Sequence, residues 1–254
     1  MLDQILTGGL FAYLLVFARI GAAISVLPGF GEAYVSPRVR LVVALLISAV
    51  VAPTLRTPLP ELPASVLMLF VLIAAEVVIG LFFGGIARLL IAGLQTAGMI
   101  IAFQTNLASA LINDPASSQQ GSIVGNFLVA MGVLLIFMTD LHHVLLRGLV
   151  DSYTLFTPGS FPDAGDMAEM VTRIVAVSFN VAMQIAAPYT VVGLVFYLGL
   201  GLLARLMPQV QVFFIAIPLQ IVLSFFVMML TLSAGMIWFT ERFADTMGGF
   251  LAPG

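Results

Sequence analysis

The chain has no cysteine, and all nine of its basic residues are arginine. Without cysteine there is no disulfide, no thiolate nucleophile and no thiolate metal ligand. Charge of either sign is scarce. Asp, Glu, Lys and Arg together make up 8% of the 254 residues, and the net charge is −3. No basic patch is present that could follow a phosphate backbone, so nucleic acid is not an expected partner. The signatures of catalysis are missing as well: no nucleophile elbow, no Walker-type phosphate loop, no paired acids with a base beside them. Nothing reads as an enzyme, a cofactor site or a completed metal site. The N-terminal "MLDQILTGGLF" carries an acid and no base ahead of its first apolar run, unlike the positive start of a cleaved signal peptide.

What fills the space is apolar. Hydrophobic residues make up 61% of the chain, and the mean hydropathy is +1.18. Charge-free runs span 89–113, 115–139, 174–204 and 206–240. A helix crosses a bilayer with about 20 mostly apolar residues, and lipid forces backbone polar groups to be satisfied inside the helix. The expectation is an all-α integral membrane protein with about six long, kinked helices. The segments fall at about 4–27, 38–53, 64–112, 122–149, 168–204 and 210–240, with Arg88 as a possible break in the third. Arg38, Arg40 and Arg205 lie between segments, whereas the 151–167 connection carries Asp151, Asp163 and Asp166 and no arginine. With 64–112 as one bent element, the arginines fall on the cytoplasmic side and the acidic loop and both termini on the other.

Proline and glycine punctuate this pattern. "PTLRTPLPELP" at 53–63 holds four prolines and reads as a stiff, extended connection. Pro188 and Pro218 lie inside apolar runs, where each removes a helical hydrogen bond. Gly80 and Gly84 form a G-x-x-x-G pair, followed by Gly85, and suit a close helix contact.

Three ionisable residues lie deep in apolar runs: Arg19, Glu76 and Arg88. Charges at membrane depth need partners or water. Glu76 and Arg88 would be about 18 Å apart on one helix and cannot pair. The two readings are a buried pair with another helix or subunit, and a proton or ion relay. "TDLHH" at 139–143 sets Asp140 and His143 one turn apart on a continuous helix, as a helix end at the membrane surface. Two ligands do not make a metal site.

One polar knot interrupts the apolar sequence, "NDPASSQQG" at 113–121. Before it stand Asn106, Ser109 and Asn113, and after it Gln119, Ser122 and Asn126, each set spaced to share one helical face. Asp114, Pro115 and Gln120 complete the tip. The stripes either hydrogen-bond two arms of a hairpin together or face water in a lumen.

Two stretches carry a family likeness. "FARIGAAISVLPGFGEAYVSPRVRLVVAL" (17–45) and "GLLARLMPQVQVFFIAIPLQI" (201–221) resemble the FliR family of flagellar biosynthetic proteins, components of the type III export gate. The resemblance covers essentially the whole chain. It implies a single membrane export-gate domain over 1–254, with a FliP-like part at 1–167. A FliQ-like helical hairpin would follow at 168–254, turning at Arg205, Pro208 and Gln209. It implies a pore-bearing hetero-oligomer with FliP-like and FliQ-like membrane subunits, a separate FlhB-like partner, and unfolded exported proteins as cargo. The implied location is the bacterial inner membrane at the flagellar basal body. It also implies that the 106–120 region helps to plug the closed pore. The alternatives are the equivalent subunit of a virulence secretion system, or a small-solute transporter with Glu76 and Arg88 at its midplane.

Overall fold

The computed structural model describes residues 2–55, 59–107, 122–207 and 212–249. Seven α-helices account for most of these residues, with no strand among them: α1 (Leu2–Val26), α2 (Pro37–Val51), α3 (Val66–Gln104), α4 (Ile123–Met138), α5 (Leu141–Leu155), α6 (Ala164–Leu206) and α7 (Val212–Gly249). Five are long and apolar enough to cross a membrane, or six spans if the bent pair α4–α5 counts as one.

The local chemistry explains most boundaries. Leu27-Pro28-Gly29 ends α1, with Gly29 in the left-handed region at φ 82°. α2 opens on an N-cap Ser36 whose hydroxyl accepts from the Val39 amide, with Pro37 in the first turn. Asp163 accepts from the Gly165 amide at 2.6 Å and starts α6. Asp166 in the first turn and Arg205 in the last turn of α6 both suit the helix dipole. Both Pro188 and Pro218 lie within single helices.

Three boundaries differ from the sequence expectation. Arg88 does not interrupt α3, because arginine is a good helix former and charge alone breaks no backbone hydrogen bond. The expected 122–149 helix is two helices, bent by 77° at Thr139 and Asp140. Asp140 makes that corner with a left-handed φ of 58°. α7 continues to Gly249 rather than stopping near 240, since Glu241, Arg242 and Asp245 suit an exposed helical turn as well as a loop.

The chain forms two compact units. One comprises Met1–Leu89, Ile136–Val175 and Ala244–Gly254. Its interior holds Leu15, Ile20, Ile24, Ile79, Leu145 and Tyr153, all at most 1% exposed. The other comprises Leu90–Leu135 and Ala176–Phe243, with Leu94, Leu128, Ala182, Ala186 and Phe239 in its core.

Candidate functional site

In the first unit, the charges that the sequence places at membrane depth resolve into two unlike arrangements. Arg19 of α1 and Glu76 of α3 are both fully buried and face each other. Arg19 Nε donates to Glu76 Oε2 at 2.6 Å and Nη2 donates to Oε1 at 3.1 Å, a two-pronged ion pair. Two further guanidinium hydrogens go to Ser152 Oγ at 3.3 Å and the Phe156 carbonyl at 3.2 Å. Its flat face lies 3.9 Å from the Tyr153 ring centre. Glu76 Oε1 also accepts from the Gly159 amide at 3.2 Å. One buried pair thus ties α1, α3, α5 and the start of the acidic loop together. Its groups are engaged by fixed neighbours, which is the arrangement of a clamp rather than of a relay that must release and accept protons.

Arg88 departs from the expectation of burial. Its side chain is 49% exposed and stands 3.7 Å from Glu32 in the turn after α1. It lies on the outward face of α3, where solvent or headgroups can reach it.

The glycine pattern divides in the same way. A Cβ on Gly80 would collide with the Arg19 carbonyl, and one on Gly84 would stand 2.8 Å from the Ala23 carbonyl. These two glycines let α3 lie directly on α1 of the same chain. Gly85 has nothing within 4 Å of such a Cβ and takes no part. It is one residue further on, so it points about 100° away from Gly84.

In the second unit, a polar cluster closes the end of α3. Asn106 has a left-handed φ of 58°, just past the end of α3. Its amide donates to Gln220 Oε1 at 2.6 Å and to Tyr197 Oη at 3.2 Å. Gln220 is 3% exposed and donates in turn to the Gln104 carbonyl. A single glutamine on α7 thereby satisfies groups that the end of α3 leaves open. Across from it, Ser122 Oγ donates to the Gly98 carbonyl at 3.0 Å. There α3 and α4 meet backbone to backbone, since a Cβ on Gly98 would overlap Gly125. Asn126 is exposed and does not share the contact of Ser122. Ser109, Asn113, Asp114, Pro115, Gln119, Gln120, Pro208 and Gln209 lie outside the described residues. Arg205 occupies the last turn of α6.

The sequence reading missed Ser152, Tyr153, Gln104, Tyr197, Gln220 and the Gly98–Gly125 contact. Gln220 had a visible signal, as the one polar side chain between Val212 and Leu223. The others look like ordinary helix residues until their partners are known. Among the described residues, one cluster has metal-ligand character: Asp140, His142 and His143 at the α4–α5 corner.

With this geometry in view, the comparisons are specific. Residues 10–246 match the family model described as "Bacterial export proteins, family 1". The chain belongs to this family. It is 38% identical over 237 residues to the flagellar biosynthetic protein FliR of Caulobacter vibrioides, covering 93% of this chain and 94% of the relative. With FliR of Bacillus subtilis it shares 32% identity over 252 residues, 95% of each. A secretion protein of Yersinia pestis, Yop proteins translocation protein T, is 26% identical over 226 residues, 87% of this chain and 85% of the relative. The similarity thus extends well beyond the two stretches at 17–45 and 201–221. In this export-family chain the Asn106 cluster and the Ser122–Gly98 bond stand at the two roots of segment 108–121.

Proposed function

We propose that the chain is a structural, pore-forming wall of a type III protein export gate in the bacterial inner membrane, serving the flagellar system. The 38% and 32% identity to FliR of Caulobacter vibrioides and of Bacillus subtilis, against 26% to the Yop translocation protein, favours the flagellar assignment. The proposed partners are FliP-like and FliQ-like membrane subunits, with a separate FlhB-like protein, and the cargo is unfolded export substrate. Residues 1–167 take the FliP-like role and 168–254 the FliQ-like role. Segment 108–121 is the proposed plug of the closed pore, held at its roots by Asn106 and Ser122. The chain carries no catalysis of its own in this scheme.

One observation carries the proposal. α3 has 39 residues, hence a length of roughly 58 Å. Apolar side chains stand exposed at both of its ends: Val66, Leu67 and Phe70 at one and Phe103, 73% exposed, at the other. A hydrocarbon core of about 30 Å cannot cover both ends unless the helix tilts by about 60°, beyond the usual range of about 0–40°. α6 and α7 are as long, with 43 and 38 residues, but each has a charged end that can stand outside lipid: Asp166, Glu169 and Arg173 in α6, and Glu241, Arg242 and Asp245 in α7. Protein must cover what lipid cannot, and this favours an assembly of unlike subunits that rises out of the membrane plane. The solute-transporter reading loses its two midplane charges, because Glu76 is engaged by Arg19 and Arg88 lies exposed beside Glu32.

Purification through a tag on this chain in mild detergent tests the proposal. The expected result is a stable complex with unlike, strongly apolar membrane proteins. A monodisperse monomer or homo-oligomer, fully folded without them, would refute it.

A further inference from the structure

We propose that the corner between α4 and α5 binds a divalent transition-metal ion through Asp140, His142 and His143. Each of the three offers a ligand atom, and these atoms lie within 4.8 Å of one another. His142 and His143 both lie in the first turn of α5, next to its N-cap Asp140, and their ring centres are 4.1 Å apart.

Three features of these residues suit a bound cation. Asp140 turns the corner with a left-handed backbone, a conformation that aspartate tolerates. It is the N-cap of α5, yet its side chain makes no capping hydrogen bond, although capping is the usual work of an aspartate in that place. Its carboxylate instead stands 3.6 Å from His143 Nδ1. That is too long for a good hydrogen bond. It is close to the separation of two donors on one ion, about 3.3–3.5 Å for tetrahedral bonds of 2.0–2.2 Å.

The second feature is His142. Its Nδ1 is shut off from solvent and has no hydrogen-bond partner. An orphaned buried donor or acceptor is costly, and a bound cation would give this nitrogen a partner. The third is that the ring is already held in place. Phe137 stacks on it at 4.9 Å and 16°, and Phe137 is itself wedged against Phe30, at 5.6 Å between ring centres, and against Gly29. A preset ring loses little freedom on ligation. Asp140 and His143 are exposed and free to close the remaining distance by side-chain rotation.

Two imidazoles and one carboxylate suit Zn²⁺, Co²⁺, Ni²⁺ or Cu²⁺, and not Mg²⁺ or Ca²⁺, which prefer oxygen throughout. Three protein ligands leave coordination positions for water or for a residue of a neighbouring subunit. An ion here would tie the N-cap of α5 to its first turn.

The test uses the complex purified in mild detergent through a tag on this chain, stripped with a chelator and titrated with Zn²⁺ against a chromophoric competitor, with the Asp140→Ala/His143→Ala complex as the blank. One ion per chain is expected, bound in the micromolar range or tighter. Asp140→Ala or His143→Ala should weaken it by at least about tenfold. Both positions are exposed, so the fold should survive either change. The Co²⁺-loaded protein should show a visible absorption band that changes in His143→Ala. The proposal fails if the intact chain takes up no more Zn²⁺ than an Asp140→Ala/His143→Ala double variant. It also fails if Mg²⁺ or Ca²⁺ in hundredfold excess displaces the Zn²⁺, since the corner would then be only a weakly acidic surface.

Discussion

Replacing Glu76 by alanine isolates the largest electrostatic commitment in the chain. The carboxylate receives three hydrogen bonds, two from Arg19 and one from the Gly159 amide. Without it, a fully buried guanidinium keeps only the Ser152 hydroxyl, the Phe156 carbonyl and the Tyr153 ring. Stranding a buried charge in this way costs about 3–5 kcal/mol. For a chain of this size that corresponds to a fall in melting temperature of roughly 6–20 °C. The double variant Arg19→Met/Glu76→Leu removes both charges and keeps most of the volume. It forfeits neutral hydrogen bonds worth about 1–3 kcal/mol but strands no ion, so it should be the more stable of the two. Thermal unfolding of the detergent-solubilised complex, for wild type, Arg19→Met, Glu76→Leu and the double, completes a thermodynamic cycle, with Glu76→Ala measured beside it. A loss below about 1 kcal/mol for Glu76→Ala, or a double variant that loses the full sum of the singles, would refute the clamp.

Four further outcomes are expected. Gly80→Leu or Gly84→Leu should destabilise this chain within the purified complex by about 1–3 kcal/mol or more through overpacking against α1, whereas Gly85→Leu should stay within about 0.5 kcal/mol, as read from melting temperatures. Gln220→Leu should cost about 1–3 kcal/mol, and hydrogen exchange should then rise at 102–107, where α3 loses its partner. With cysteines introduced singly at Ser160 and Met207, an impermeant thiol reagent added outside intact spheroplasts should label the first and not the second; the reverse pattern would overturn the orientation read from the arginines. Deleting residues 114–120 and bridging with glycine should leave an assembled complex that leaks ions in the absence of cargo, and equal conductance with the intact complex would remove the plug.

Helix type and the approximate number of spans were legible because lipid-compatible sequence leaves few alternatives, and the charge-free runs mark where helices must be. The corner at Asp140 was not, because neither glycine nor proline stands there. Aspartate tolerates the left-handed region well enough to turn the chain without announcing it. The glycine contact was half legible. Gly80 and Gly84 share a face, and the same helical geometry excludes Gly85. For Glu76, the sequence required a partner without naming it. Arg19 lies 57 residues away, and no local pattern encodes a tertiary pairing over that distance. Gln220 and Asn106, 114 residues apart, were hidden for the same reason.

The length of α3 has a consequence for the cell as well as for the assembled gate. On the proposed reading, a newly made chain that has not met its partners holds close to half of α3 beyond the reach of lipid. Such an orphan must be shielded, aggregate or be destroyed. Its steady-state amount would then follow the supply of the other subunits rather than its own rate of synthesis. Overproducing this chain alone should therefore raise turnover more than yield, and the ratio of subunits would be set by proteolysis of the excess, without any need to tune translation.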